Sequence, residues 1–186
     1  MAITGIGLHK DFLSPLETGQ LLTYCRNPHT VWRRTSPHDP WDDRTIPHAQ
    51  ARPDIRELLV KIRARVIESV VTNLKIERPL YADSLSITRW RVGEDQAPHA
   101  DSENVDGSPH LYPWRNYGAI MYLNTDYEGG EIYFPTLDLK PKIEADMLAF
   151  FPGTVKFLHG VTPVRSGIRY TVATFLTHDE AHKDWA

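Results

Sequence analysis

The chain has 186 residues, 24% of them charged and 41% hydrophobic, enough for one domain with its own core and no need of staples. A formal net charge of −3 and a pI near 6.3 give no general attraction to nucleic acid or to an anionic membrane. The single cysteine, Cys25, has no partner for an intramolecular disulfide, which suits a reducing compartment.

The opening residues Met1-Ala2-Ile3-Thr4-Gly5 lack the basic region and apolar core of a leader. No stretch approaches the roughly 20 apolar residues of a membrane span. The expectation is a soluble, cytoplasmic protein with neither nucleic acid nor membrane as partner. Ser14-Pro15-Leu16-Glu17 reads as a capping box, with Pro15 where its missing N–H does no harm, and predicts a helix from there to about Arg26. Cys25 falls on that helix and is expected to pack.

Between residues 27 and 52, Pro28, Pro37, Pro40 and Pro47 alternate with His29, His38 and His48, which predicts an ordered irregular excursion or short strands. Those histidines lack a tight ligand spacing and read as surface or core-edge residues. Pro53-Asp54-Ile55 opens the clearest helix, running to about Leu74. Ile55, Leu58, Leu59, Ile62, Val66, Ile67 and Val70 recur at helical spacing, with Arg56, Lys61, Arg63 and Arg65 elsewhere on the surface. This helix is expected to pack behind a sheet.

After Leu80 the chain turns to short runs rich in β-branched and aromatic residues. Strands are predicted over 84–92, 117–124, 131–134, 146–151, 155–158 and 170–176, with turns at Gly129-Gly130, Pro152-Gly153 and Ser166-Gly167. The fold class that follows is mainly β with N-terminal helices, a sandwich or jelly roll whose helices cover one sheet. The chain reads as a single domain over 1–186, with helical support over 1–79 and the β core over 80–178.

Chemistry concentrates at Ala97-Pro98-His99-Ala100-Asp101. In an extended segment side chains alternate faces, so His99 and Asp101 project to the same side. His159, followed by Gly160, is the candidate third ligand. Two histidines and one carboxylate on one face of an octahedron, with the other positions open, mark non-heme Fe(II) oxygenases. The same donors also suit Zn with a bound water.

The string Arg89-Trp90-Arg91-Val92-Gly93 through His99-Ala100-Asp101 is followed by Tyr122-Leu123-Asn124, Glu128-Gly129-Gly130-Glu131 and Phe134-Pro135. Phe151-Pro152-Gly153 and His159-Gly160-Val161-Thr162-Pro163-Val164 to Gly167-Ile168-Arg169-Tyr170 complete it. Over residues 80–176 this resembles the prolyl 4-hydroxylase-like branch of the Fe(II)/2-oxoglutarate-dependent dioxygenases. The resemblance implies a double-stranded β-helix with iron on His99, Asp101 and His159. It also implies 2-oxoglutarate and O2 as cosubstrates, and ascorbate as an aid that keeps iron reduced. The distal carboxylate of 2-oxoglutarate needs a fixed cation, and Arg169, ten positions after His159, looks like it; a guanidinium fork matches a carboxylate bidentately. Tyr122 looks like the family tyrosine that reaches the same carboxylate. Thr171, two residues beyond Arg169 on the same strand face, offers a third hydrogen bond.

The implied reaction is hydroxylation of an unactivated C–H bond with release of succinate and CO2. The carboxylate ligand Asp101 favours it, since related halogenases leave that ligand out. The expected substrate is a prolyl residue in a peptide or protein. Trp90 and Gln96 stand where many prolyl hydroxylases have tyrosines, so a free amino acid or other small molecule remains open. The alternative from a different class is a non-catalytic metal-binding jelly roll, but Arg169 and Tyr122 have no purpose in a site that holds metal alone. Residues 102–117 read as a long loop beside the ligands. Its Tyr112 and Trp114, with Trp90, either wall the substrate site or pack the loop down, and His110 reads as a surface residue.

Overall fold

The computed structural model describes residues 5–184; residues 1–4, which carry most of the leader argument, lie outside the described residues. The capping box forms. The backbone N–H of Glu17 donates to Ser14 Oγ at 3.3 Å, and the Glu17 carboxylate accepts from the backbone N–H of Ser14 at 2.8 Å. It starts helix α1, Pro15–Arg26. Helix α2 spans Pro53–Leu74 and ends where Lys75 turns left-handed. Ile55, Leu59, Ile62, Val66 and Val70 are buried along one stripe, with Leu58 and Ile67 at its margin. Two of the expected surface cations are engaged: Arg63 Nη1 lies 3.3 Å from Asp184 with most of its side chain covered, and Arg65 pairs with Glu17 at 2.8 Å. Cys25 is buried, and burial pushes its thiol up to about 12. Among the described residues no helix is long and apolar enough to cross a membrane.

The strands are β1 (Gly7–His9), β2 (Thr45–Pro47), β3 (Tyr81–Trp90), β4 (Gln96–His99), β5 (Tyr117–Tyr122) and β6 (Tyr127–Gly129). They continue as β7 (Ile132–Tyr133), β8 (Leu148–Pro152), β9 (His159–Val161), β10 (Val164–Gly167) and β11 (Arg169–Thr177). Six form one sheet in the order β1-β8-β5-β11-β3-β2, β4-β9-β7 form a second, and β6 pairs with β10. The fold is a double-stranded β-helix, the jelly-roll variant, with helices on one face of the large sheet. Both edge strands of that sheet, β1 and β2, come from the N-terminal segment. That segment is therefore not helical throughout. The 27–52 excursion supplies β2 and a 3-10 turn at His48–Gln50.

Strand β11 lies between β5 and β3 and is covered on both faces. Tyr170, Val172 and Leu176 join the core shared with α2. Arg169, Thr171 and Ala173, offset by one, face the cavity between the sheets, as the period of two requires. The predicted strand over 155–158 is instead a 3-10 turn, Val155–Phe157. Its β-branched and aromatic residues suit a strand, but Phe157 N–H bonds back to Thr154 O and Leu158 N–H to Val155 O, and the chain straightens only at His159.

The α2 stripe is the support on which the large sheet rests. Ile62→Ala, at a fully buried position, is expected to cost about 2–5 kcal/mol, read as a lower urea midpoint at unchanged m value. A loss under about 1 kcal/mol would show that the stripe does not carry this load.

Candidate functional site

Strands β4 and β9 run antiparallel with His99 directly opposite His159, and residues so paired project to one face. The two imidazole centroids are 4.3 Å apart. Asp101 follows β4 and turns in beside them: its Oδ1 is 3.8 Å from His99 Nε2 and 3.7 Å from His159 Nε2. Among the described residues these three form the cluster of metal-type donors, with ligand atoms all within 4.8 Å of one another. Each histidine is oriented by the backbone. His99 Nδ1 lies 3.1 Å from Ala97 O and His159 Nδ1 3.2 Å from Phe157 O. A carbonyl can only accept, so each Nδ1 carries the proton and each Nε2 keeps its lone pair for a metal. The 3-10 turn is what aims the Phe157 carbonyl at His159.

Electrostatics agree. Burial pushes His159 down to about 4, keeping its imidazole neutral. His99 is lowered by burial and by His159, with Asp101 pulling the other way. Burial drives Asp101 up to about 6, against the pull of His99, Arg115 and His110. Its Oδ2 is buried with no hydrogen-bond partner among the described residues. A divalent cation would offset the cost of that buried carboxylate.

The loop is fixed from behind: the backbone N–H groups of Asp101 and Ser102 both donate to Gly153 O, at 2.9 and 3.0 Å. Gly118 on β5 makes room. A Cβ there would stand 2.7 Å from Asp101 Oδ2 and 2.9 Å from the Phe151 ring. No motif in the sequence analysis involved Gly118, because its role arises from a strand far along the chain.

Deeper in the cavity lies Arg169, only 1% exposed, on the face where Thr171 also sits. Thr171 is the direct cross-strand partner of Tyr122. The guanidinium carbon is 5.2 Å from the Tyr122 ring centroid and 5.0 Å from that of Trp90. Arg169 Nε and Nη1, Tyr122 Oη and Trp90 Nε1 are all buried without a hydrogen-bond partner among the described residues. Burial lifts the Tyr122 hydroxyl to about 12, against the pull of Arg169, so it stays a donor. Orphaned donors gathered about the Arg169 guanidinium, with Arg169 and Trp90 lining the cavity and Tyr122 beside them, describe the negative of a carboxylate, which is the fit that bound 2-oxoglutarate requires. Asn124 holds this strand in register: its side chain accepts from Tyr170 N–H and donates to Ile168 O, each at 2.8 Å. The sequence offered Asn124 within its motif but gave it no role.

The three aromatic residues anticipated at the substrate wall part company. Trp90 belongs to the inner cavity, against Arg169. Tyr112 lines the outer groove. Trp114 is not brought to the site; it stacks on His182 at 3.6 Å and lines a separate hollow with Arg78 and His178. The next residue, Arg115, inserts between Tyr112 and Phe175, 3.8 Å from each ring, which leaves Trp114 on the other side of the loop.

A family model described as the 2OG-Fe(II) oxygenase superfamily matches residues 85–177. The chain belongs to the 2OG-Fe(II) oxygenase superfamily, a family whose chemistry uses Fe(II), 2-oxoglutarate and O2, and the His-Asp-His cluster fits that metal. Among curated proteins it is 33% identical over 147 residues to prolyl 3-hydroxylase 1 of Rattus norvegicus, which covers 67% of this chain but 19% of that protein. Among solved structures, the viral collagen prolyl hydroxylase of Paramecium Bursaria Chlorella virus-1 aligns with TM-score 0.71 at 20% identity, over 93% of this chain and 90% of that one. A Pseudomonas putida prolyl-4-hydroxylase aligns with TM-score 0.67 at 17% identity, over 95% and 94%.

Gly118→Ala is expected to weaken Mn(II) binding, measured by the bound metal's spin-resonance signal, at least about tenfold while the circular dichroism spectrum stays that of the wild type. Metal affinity equal to wild type would show that Asp101 does not need this clearance.

Proposed function

We propose that the chain acts as one Fe(II)- and 2-oxoglutarate-dependent dioxygenase unit that hydroxylates a prolyl residue in a peptide or protein. The observation that carries this reading is the pairing of two sites in one cavity: converging donors His99, Asp101 and His159, and a buried, unpaired Arg169 with Tyr122 beside it. A metal-binding module has no need of the second. The prolyl substrate is supported by the kinship with prolyl 3-hydroxylase 1.

Bound together, Fe(II) and 2-oxoglutarate would supply the oxidising power that activates O2, with succinate and CO2 as co-products. The chain's own part is positional. His99, Asp101 and His159 would hold the metal as its three protein donors. Arg169, with Tyr122 and Thr171, fixes the far carboxylate of the cosubstrate, and Trp90 has an indole N–H free to join them. Phe151 and Phe134, at 4.3 and 6.0 Å from the His159 ring, exclude water from that side. Gln96 donates its amide to His99 Nε2 at 3.2 Å and must release it when a metal takes that lone pair. We also place the enzyme in the cytoplasm. The buried, unbridged Cys25 supports a reducing setting, where ascorbate would help keep iron Fe(II).

The test is succinate formation by metal-free protein reconstituted anaerobically with Fe(II), then given O2, 2-oxoglutarate and proline-containing peptides, with mass spectrometry of the peptides. The reading predicts succinate and a peptide heavier by one oxygen, both lost in Asp101→Ala and Arg169→Ala. Succinate that persists in those variants, or none from the wild type, overturns it. Arg169→Lys keeps the charge but not the fork and is expected to raise KM for 2-oxoglutarate at least about tenfold; an unchanged KM would remove Arg169 from the cosubstrate site.

A further inference from the structure

The proline- and histidine-rich segment 27–52 supplies none of the residues assigned to hold the metal or the cosubstrate, though its Trp41 lines the inner cavity, and it is held firmly. Asp43 accepts from Arg89 at 2.7 Å and Arg91 at 2.9 Å, and β2 pairs with β3 through Thr45↔Thr88 and Pro47↔Ser86. Arg44 is threaded between two indoles, 4.8 Å from Trp41 and 4.4 Å from Trp90. These contacts make the segment one wall of a groove of about 620 Å³ that opens from His99 and Asp101. Arg33, Trp41 and His48 stand on this wall, and His110, Tyr112 and Arg115 from the loop after Asp101 stand opposite. Ser84, Ser86 and Thr88 of β3 make a hydroxyl-bearing floor.

The charges along the groove are mostly satisfied. Arg115 is paired with Asp83 at 2.8 Å. Asp184 is shared by Arg63 at 3.3 Å and His48 at 3.4 Å. Arg33 differs: among the described residues no ion pair or side-chain hydrogen bond reaches it, and its Nε is buried with no partner. Its charge touches Asp39 only at longer range. A guanidinium held by a fixed wall, half-buried and without a side-chain partner among the described residues, in the groove that opens from His99 and Asp101, is a ready fork for a carboxylate.

We propose that the 27–52 segment is the sequence-reading wall of a peptide groove, and that Arg33 selects substrates carrying an aspartate or glutamate near the target prolyl residue. The groove extends past the metal mouth, so a prolyl ring fills only the part beside His99 and Asp101, and flanking residues run over the β3 floor toward Arg33. This rests on the prolyl-peptide reading given above.

The experiment compares kcat/KM for peptides with one proline and a single Glu, Gln or Lys at each flanking position in turn, for wild type, Arg33→Gln, Arg33→Lys and Arg33→Glu. The quantity read is the ratio between peptides within one variant, so a general loss of folding or activity cancels. Wild type is expected to prefer Glu over Gln at one position by about tenfold, the worth of one charge-assisted contact, and less at high salt. Arg33→Gln loses the preference, Arg33→Lys keeps much of it, and Arg33→Glu turns it toward Lys. Hydroxylation indifferent to charge, or a Glu preference that survives in Arg33→Gln, overturns the assignment while leaving prolyl hydroxylation in place. Succinate formation with no peptide hydroxylated at any charge overturns the prolyl reading and this assignment with it.

Discussion

A guanidinium buried to 1% exposure with no anion beside it is the constraint on which this structure turns. An isolated charge taken out of water costs several kcal/mol, and two aromatic faces at 5.0 and 5.2 Å return only part of it. Arg169 stays there because its strand is enclosed on both edges and both faces. β11 is paired on both sides, backed by the α2 stripe through Tyr170, Val172 and Leu176, and fixed at its start by Asn124. A scaffold that holds an unmet charge so rigidly has the character of a preorganised binding site, in which stability is given up for a ligand.

The metal cluster follows the same logic on the smaller sheet. Antiparallel pairing sets the two histidines directly opposite each other, backbone carbonyls choose their tautomers, and Gly118 and Gly153 let Asp101 come in against them. Arg169 and the cluster line one cavity, one from the large sheet and one from the small. The closed β-helix is what brings them into register. The N-terminal segment completes the arrangement by contributing both edge strands, and with β2 it carries Trp41 and Arg33 to the mouth.

Much of the scaffold was legible. The capping box and the 3.6-residue stripe of α2 state their structure locally, so their bounds came within a residue or so of the observed ones. The strands of three or four residues that went unpredicted, β1, β6, β9 and β10, show too little alternation for a period of two to register, and their pairing partners are far away in sequence. Residues 155–158 misled because side-chain preference pointed to a strand while backbone hydrogen bonds within four residues closed a turn. At the site, His99, Asp101 and His159 could be picked out from their residue types and spacing, although Asp101 lies past the end of β4 and turns in from the loop, and Arg169 needed the resemblance of the whole motif string. For Trp114 the sequence left two readings open, wall or loop packing, because in an irregular loop nothing periodic fixes which way a side chain points. Gly118 and Asn124 act through neighbours distant in sequence, and no local pattern announces them.

The most direct measurement is calorimetric titration of 2-oxoglutarate into the anaerobic protein, with and without Fe(II), for wild type, Asp101→Ala and Arg169→Gln. The account predicts tight binding only when Fe(II) and both residues are present, because the ligand is held at one end by the metal and at the other by the buried guanidinium. Binding of equal strength without metal, or without Arg169, would contradict it.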